Sequence, residues 1–209
     1  MPFARIDGRD YLRCPACTAT RLAAAHHPGR AEEVACYRLH ENHADDPGYR
    51  RHLARLADPL LARLQDGMRT PARGLDYGCG PGPALAAMLR EAGHHVALYD
   101  PVFAPDLSVL TDPYDFVTCT EVAEHFHAPA RDFARLRALV RPGGWLAVMT
   151  TFQTDDARFA GWQYRADPTH VVFYRADTLR HLARLWGWRC EIPVKDVALM
   201  QRPPAVSPP

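Results

Sequence analysis

Lysine is almost absent from this 209-residue chain: Lys195 is the only one, and the other 24 of its 25 basic residues are arginines. The acidic residues balance them to a formal net charge of +1, so no global field argues for a nucleic-acid or anionic-membrane partner. Long apolar runs are missing too, and nothing approaches the length of a membrane span. The first residues, Met1-Pro2-Phe3-Ala4-Arg5, lack the apolar core of a secretory signal. The expected location is therefore cytoplasmic, with no membrane partner. There the six cysteines are expected as thiols or metal ligands, not disulfides. Internal repeats are lacking. A hydrophobic fraction of 47% and a charged fraction of 23% are ordinary for a globular protein, long enough for one domain and an appendage.

Residues 1–70 read as an N-terminal appendage and helical cover. They hold a Cys-x-x-Cys pair, a short helix over 31–40, and a helix over 49–64 entered through Asp45-Asp46-Pro47-Gly48. Tyr49, Leu53, Leu56, Leu60, Leu61 and Leu64 carry its period, and Pro59 is expected to kink or divide it. From 71 to 202 strands and helices alternate: strands at 73–77, 95–99, 116–120 and 145–150, helices at 84–92, 129–140 and 178–186. Two closing strands follow near 189–192 and 197–201. This alternation predicts an α/β fold with a mostly parallel sheet, one antiparallel strand near the C-terminus, and helices on both faces. Residues 103–112 are short and proline-bearing, so the third strand is reduced or missing. The proline-rich tail, 203–209, is expected to be disordered.

The sharpest signal is Gly74-Leu75-Asp76-Tyr77-Gly78-Cys79-Gly80-Pro81-Gly82-Pro83, followed by Val96-Ala97-Leu98-Tyr99-Asp100. It reads as strand, glycine-rich turn, helix, and a second strand ending in an acid, the order of a nucleotide-binding βαβ unit. Glycines at 78 and 80 would let backbone approach a ligand. The third glycine of a dinucleotide fingerprint is replaced by Pro83. Asp100 stands about 20 residues beyond the loop, where a carboxylate can accept from a ribose diol.

With these residues the chain resembles the class I S-adenosylmethionine-dependent methyltransferases. The resemblance covers about 72–202 and rests on the stretch from Leu75 to Gly82, on Tyr99-Asp100, on the fourth-strand run from Tyr114 to Phe126, and on the turn Arg141-Pro142-Gly143-Gly144-Trp145. It implies a Rossmann-like domain that binds S-adenosylmethionine. Asp76, Gly78, Cys79, Gly80 and Gly82 would face the methionine part, Asp100 the ribose, and Pro101 and Val102 the adenine. Thr120 and Glu121 would stand at the carboxyl edge of the fourth strand. The usual acid after the third strand has no clear counterpart; Asp106 and Asp112 are candidates. His125 is a candidate base or a histidine that orients its loop, and Glu124 a structural acid.

The insertion at 152–174 is rich in aromatics. Phe152, Trp162 and Tyr164 could wall an acceptor pocket in which Asp167 and His170 make polar contacts, with His170 a second catalytic candidate. The alternatives are a lid that exposes no pocket and, for 167–170, an ordinary turn. Cys14 and Cys17 have metal-ligand spacing, and Cys36 and His40 could complete a Cys₃His zinc site, although no second Cys-x-x-Cys is present. Methylation of a small molecule is the leading expectation. A zinc-bearing RNA-base methyltransferase is the second, supported by Arg131, Arg135, Arg137 and Arg141. A non-catalytic scaffold of the same fold is the third, and a nicotinamide oxidoreductase the weakest.

Overall fold

The computed structural model describes residues 1–39, 43–66 and 71–205. Its main sheet has six strands in the order β5-β4-β6-β7-β10-β9. These are β4 (Arg73–Tyr77), β5 (His95–Tyr99), β6 (Tyr114–Thr120), β7 (Val140–Met149), β9 (Arg189–Glu191) and β10 (Val197–Gln201). The pairs among β5, β4, β6 and β7 are parallel, and β10 runs antiparallel between β7 and β9. β10 is thus the expected antiparallel strand. No third strand of the alternation forms: between β5 and β6 the chain makes only a 3-10 turn, Leu107–Leu110. The segment Arg141-Pro142-Gly143-Gly144 lies within β7, where the register against β6 slips from Tyr114↔Val140 to Phe116↔Trp145.

Successive strand residues point to opposite faces, and each face has its own core. Phe116, Trp145, Ala147 and Leu199 pack under α2 (Pro47–Gln65) and α3 (Ala84–Glu91), meeting Leu56, Leu60, Leu85 and Leu89. Val117, Leu146, Val148 and Met200 face the opposite layer, where α4 (Pro129–Ala138) and α6 (Ala176–Leu185) supply Phe133, Leu136, Leu179 and Ala183. Strands covered on both sides read as continuous apolar runs, as β6 and β7 do. α2 begins as expected: the Asp46 carboxylate accepts the Tyr49 N–H at 2.5 Å and Pro47 occupies the first turn. It is not divided at Pro59. The buried Leu56, Ala57, Leu60 and Leu64 hold one helix through the proline.

The N-terminal segment differs from the helical appendage expected. Three strands, β1 (Pro2–Ile6), β2 (Arg9–Arg13) and β3 (Thr20–Leu22), form an antiparallel sheet completed by β8 (Val172–Phe173) from the aromatic insertion. Asp7 and Gly8 both have positive φ, 51° and 74°, the conformation of a two-residue hairpin turn for which Asp-Gly is the standing signal. That dipeptide was legible in the sequence and marks the hairpin. Cys14 and Cys17 sit in the next turn, where Thr18 N–H bonds to the Cys14 carbonyl. Two helices complete the chain: α1 (Arg30–Tyr37) and the single-turn α5 (Gln163–Ala166). Of the tail, residues 203–205 carry no regular structure, and 206–209 lie outside the described residues.

Candidate active site at the cleft of the parallel sheet

β4 has β5 on one side and β6 on the other, so the sheet's strand order reverses there and a crevice opens beyond the carboxyl ends. A cavity of about 560 Å³ occupies it. The loop after β4 forms its floor. Gly78 and Cys79 N–H groups bond to the Tyr99 carbonyl, which fixes the loop to the end of β5. Asp100 ties it further, accepting from Gly80 N–H at Oδ2 and from Val102 and Phe103 N–H at Oδ1. A carboxylate oxygen has two acceptor sites, so Oδ2 keeps one for a ligand hydroxyl. Asp100 is therefore both a turn-capping acid and a cavity residue.

The glycines divide the work unequally. Gly80, at φ +64°, lines the cavity and has nothing within 4 Å of where a Cβ would stand. At Gly78 a Cβ would meet Val122 Cγ2 at 2.3 Å. The space that Gly78 leaves belongs to the loop after β6, not to a ligand. Cys79, Pro101 and Thr120 line the cavity, Gly82 does not. The buried Thr120 hydroxyl has no partner among the described residues; this hydroxyl and the spare acceptor site on Asp100, beside the open space at Gly80, make a polar set that fits the hydroxyls of a nucleoside cofactor. Asp76 is not in the cavity wall. It lies buried beneath the loop, accepting from Thr118 at 2.8 Å, and burial pushes its carboxyl up to about 6. Asp106 caps the 3-10 turn through Ser108 N–H, Asp112 is exposed, and neither lines the cavity.

The same cavity is also lined by Glu121, Glu124, His125, Asp167 and His170. Glu121 adopts φ +52°, unusual for a non-glycine residue, with its N–H on the Met149 carbonyl and His52 of α2 at 3.4 Å from its carboxylate. Glu124 is fully buried, and burial raises its carboxyl above the ordinary value. Its Oε1 accepts the Tyr164 hydroxyl at 2.6 Å. His125 Nδ1 faces the Thr169 carbonyl at 3.0 Å and His170 Nδ1 the Tyr164 carbonyl at 2.7 Å. The two rings meet edge to face with centroids 4.9 Å apart. Burial lowers the His170 pKa, which keeps the ring neutral at neutral pH. Asp167 also makes the turn read from the sequence, accepting Thr169 N–H and hydroxyl.

The expected acceptor wall needs correction. Phe152, Trp162 and Tyr164 do not line this cavity. Phe152 is a core residue, and Trp162 packs on Phe159, which itself sits against Phe3, Tyr11 and Phe173. The aromatic insertion closes the gap to the N-terminal sheet, and Tyr164 supports the site from behind, its ring centroid 4.1 Å from that of His170, its carbonyl on His170 Nδ1 and its hydroxyl on Glu124. The cavity is instead covered by α1, which contributes Arg30, Glu33, Val34 and Tyr37. The Glu33 carboxylate meets His127 at 2.8 Å, and the Tyr37 ring packs on His125 at 5.2 Å. Sequence reasoning missed these residues because α1 has no buried face to give it an apolar period. α2, expected as the cover, reaches the cleft with Tyr49 and His52 and spends the rest of its length on the sheet.

Cys14 and Cys17 are close enough to interact: backbone hydrogen bonding at Cys17 holds the Cys14 thiol below its ordinary pKa, while burial pushes Cys17 up. Cys36 lies elsewhere, beside His26, His27 and Arg9 in a separate shallow pocket. Among the described residues these cysteines form no three-ligand group, and His40 lies outside the described residues. The four arginines each have a partner, although Arg131, Arg135 and Arg137 stay exposed. Arg141 pairs with Asp115, Arg137 stacks over Trp186, Arg135 bonds to Tyr77, and Arg131 pairs with Asp132 beside the cavity.

A doubly covered, mostly parallel sheet with a glycine loop and an acid at its switch point defines the Rossmann-like class of nucleoside-cofactor enzymes. Residues 49–191 match a family model described as a methyltransferase domain, and the chain belongs to that family, the class I S-adenosylmethionine-dependent methyltransferases. It is similar to the ubiquinone biosynthesis O-methyltransferases of Thiobacillus denitrificans (33% identity over 120 residues, 44% of this chain and 51% of that one) and Aeromonas salmonicida (30% over 99 residues, 36% and 42%). The chain thus spans about half the length of these curated relatives or less. Among solved structures, it is similar in fold to the Burkholderia thailandensis 1,6-didemethyltoxoflavin-N1-methyltransferase with bound 1,6-didemethyltoxoflavin and S-adenosylhomocysteine. There the TM-score is 0.54 and the identity 20%, over 97% of this chain and 99% of that one. The magnesium protoporphyrin IX methyltransferase of Synechocystis PCC 6803 gives 0.54 and 18%, over 82% and 94%. Residues 49–191 thus carry the methyltransferase domain of that family. No described helix is long and apolar enough to cross a membrane.

Proposed function

We propose that this methyltransferase acts on a hydroxyl group of a small-molecule acceptor. The observation that carries the reading is the placement of Glu124, His125 and His170 in the same cavity as the glycine loop and Asp100. S-adenosylmethionine, when bound, supplies an electrophilic methyl group on a sulfonium. The protein's part is to align the acceptor, exclude water, and deal with the acceptor's proton. Gly80, Asp100 and Thr120 hold the cofactor, α1 closes the cleft from outside, and the carboxylate–histidine group faces the acceptor oxygen. A neutral imidazole beside a buried carboxylate is suited to receive that proton.

Cavity size favours a small acceptor over a polymer: about 560 Å³ is the space of a single ligand pocket, and the cofactor takes part of it. The names of the curated relatives, both O-methyltransferases, support transfer to oxygen. The test is methyl transfer from labelled S-adenosylmethionine to a panel of phenols, catechols, amines and RNA, with the product read by mass spectrometry. Methylation of hydroxyl acceptors is expected. Products on RNA or on nitrogen alone would overturn the reading.

A further inference from the structure

The polar group at the acceptor end of the cavity has the form of a ligand set. Glu124 is wholly buried and only one of its oxygens is engaged, by Tyr164. The other, Oε2, has no hydrogen-bond partner among the described residues. A buried carboxylate oxygen left unpaired is destabilising unless a donor or a cation meets it.

The histidines are held by the backbone. Each directs Nδ1 at a backbone carbonyl, of Thr169 for His125 and of Tyr164 for His170. A carbonyl only accepts, so the proton sits on Nδ1 and the lone pair is presented at Nε2. A carbonyl behind the far nitrogen is also how metal-bound imidazoles are oriented. One donor atom from each of Glu124, His125 and His170 lies within 4.8 Å of the other two. Among the described residues no other group of three or more such side chains converges in this way.

We propose that Glu124, His125 and His170 bind a divalent first-row transition-metal ion in the acceptor half of the cavity. Two imidazoles and one carboxylate suit zinc, cobalt, manganese or iron, whereas magnesium and calcium prefer all-oxygen sets. Three protein ligands leave coordination positions open. An acceptor hydroxyl placed there has its pKa lowered, so its proton leaves to solvent and the electron pair stays on oxygen. The inference deepens the O-methylation reading and rests on it: the ion, and not an imidazole alone, would generate the nucleophile. Glu121 and Asp167 line the same cavity, and Asp167 Oδ2 stands 3.8 Å from His170 Nε2.

The experiment is a titration of chelator-treated full-length protein with Co²⁺, read by visible d–d absorption, which needs no knowledge of the acceptor. A band saturating at one ion per chain is expected, undisturbed by a hundredfold excess of Mg²⁺. Glu124→Gln and His170→Ala should each weaken cobalt binding at least tenfold while S-adenosylhomocysteine still binds. Absence of a saturable band in the wild-type protein overturns the proposal without recourse to any variant. Displacement of cobalt by Mg²⁺ overturns the assigned ion class, and variants that bind cobalt as tightly as wild type overturn the ligand set. S-adenosylhomocysteine titrated into the same metal-free protein keeps the two readings apart. Cofactor binding without cobalt binding removes only the metal, and no cofactor binding removes the proposed cofactor assignments.

Discussion

Gly78 answers two demands at once: its φ is +80°, and Val122 fills the place where a Cβ would stand. A side chain there is strained by the left-handed backbone and also pushes the loop after β6 away from the loop after β4. Gly78→Ala is expected to destabilise the protein by about 2–4 kcal/mol, read from the urea midpoint. S-adenosylhomocysteine affinity should fall with it, since the displaced loop carries Glu121 and follows directly on Thr120. A variant within the error of wild type would mean that Val122 moves aside freely. Asp76 makes a second residue-scale prediction. Its carboxyl has a pKa of about 6 in the fold against an ordinary 3.8, so the native state holds the proton more tightly than the unfolded chain. Stability is therefore fullest below pH 3.8 and is lost as the pH rises through 6, by up to about 3 kcal/mol. Asp76→Asn has no such ionisation, so its stability relative to wild type should rise between pH 4 and pH 7. A difference that stays flat over that range would show that Asp76 does not carry the raised pKa.

Between the elements, Arg165 is the joint that ties the aromatic insertion to the N-terminal sheet. Its nearly buried guanidinium bonds to the Tyr11 hydroxyl, the Asp7 carboxylate and the Ala160 carbonyl. Arg165→Met keeps the apolar stem but leaves the buried Tyr11 hydroxyl unpaired, a loss of about 1–3 kcal/mol. Hydrogen exchange should then speed up together in β1–β3 and in 152–174, because β3 and β8 share a ladder. Faster exchange in only one of the two would show that they are not one cooperative unit. This junction also marks where reading the sequence stopped. The βαβ elements from Arg73 onward were legible to within about two residues at most ends, since their apolar runs and turns obey local rules; the exception is β7, which starts at Val140, five residues before the strand read from the sequence. The Asp7-Gly8 hairpin was legible in principle. The pairing of β3 with β8 was not: it joins residues some 150 positions apart, and no local pattern encodes such a contact. For the same reason His125 and His170 could each be singled out, but not their meeting, and Phe152, Trp162 and Tyr164 looked like a pocket wall because aromatic content does not reveal which side of a loop is filled.

At the scale of the whole molecule, binding and stability are linked through the one cleft. The glycine loop, Asp100 and Thr120 come from three different strand ends, and α1 spans them from outside. A ligand bound there stabilises only the folded chain, by about 2.7 kcal/mol at a concentration of 100 times its Kd. In a chain of this size 1 kcal/mol corresponds to about 2–4 °C in Tm, so S-adenosylhomocysteine should raise the melting temperature by about 5–11 °C. NAD should not, because Pro83 stands where a dinucleotide loop has its third glycine. Asp100→Asn separates the two duties of that residue. The amide oxygen can still accept from Val102 and Phe103, but the amide NH2 then faces the Gly80 N–H, so the ligand-free melting point should fall slightly, by the loss of that one bond. The charged acceptor for a ribose diol is lost, and the shift produced by the cofactor product at fixed concentration should fall by at least half. If Asp100→Asn lowers the ligand-free melting point but leaves the shift intact, Asp100 is a turn residue alone, and the ribose contact belongs to another group lining the cavity.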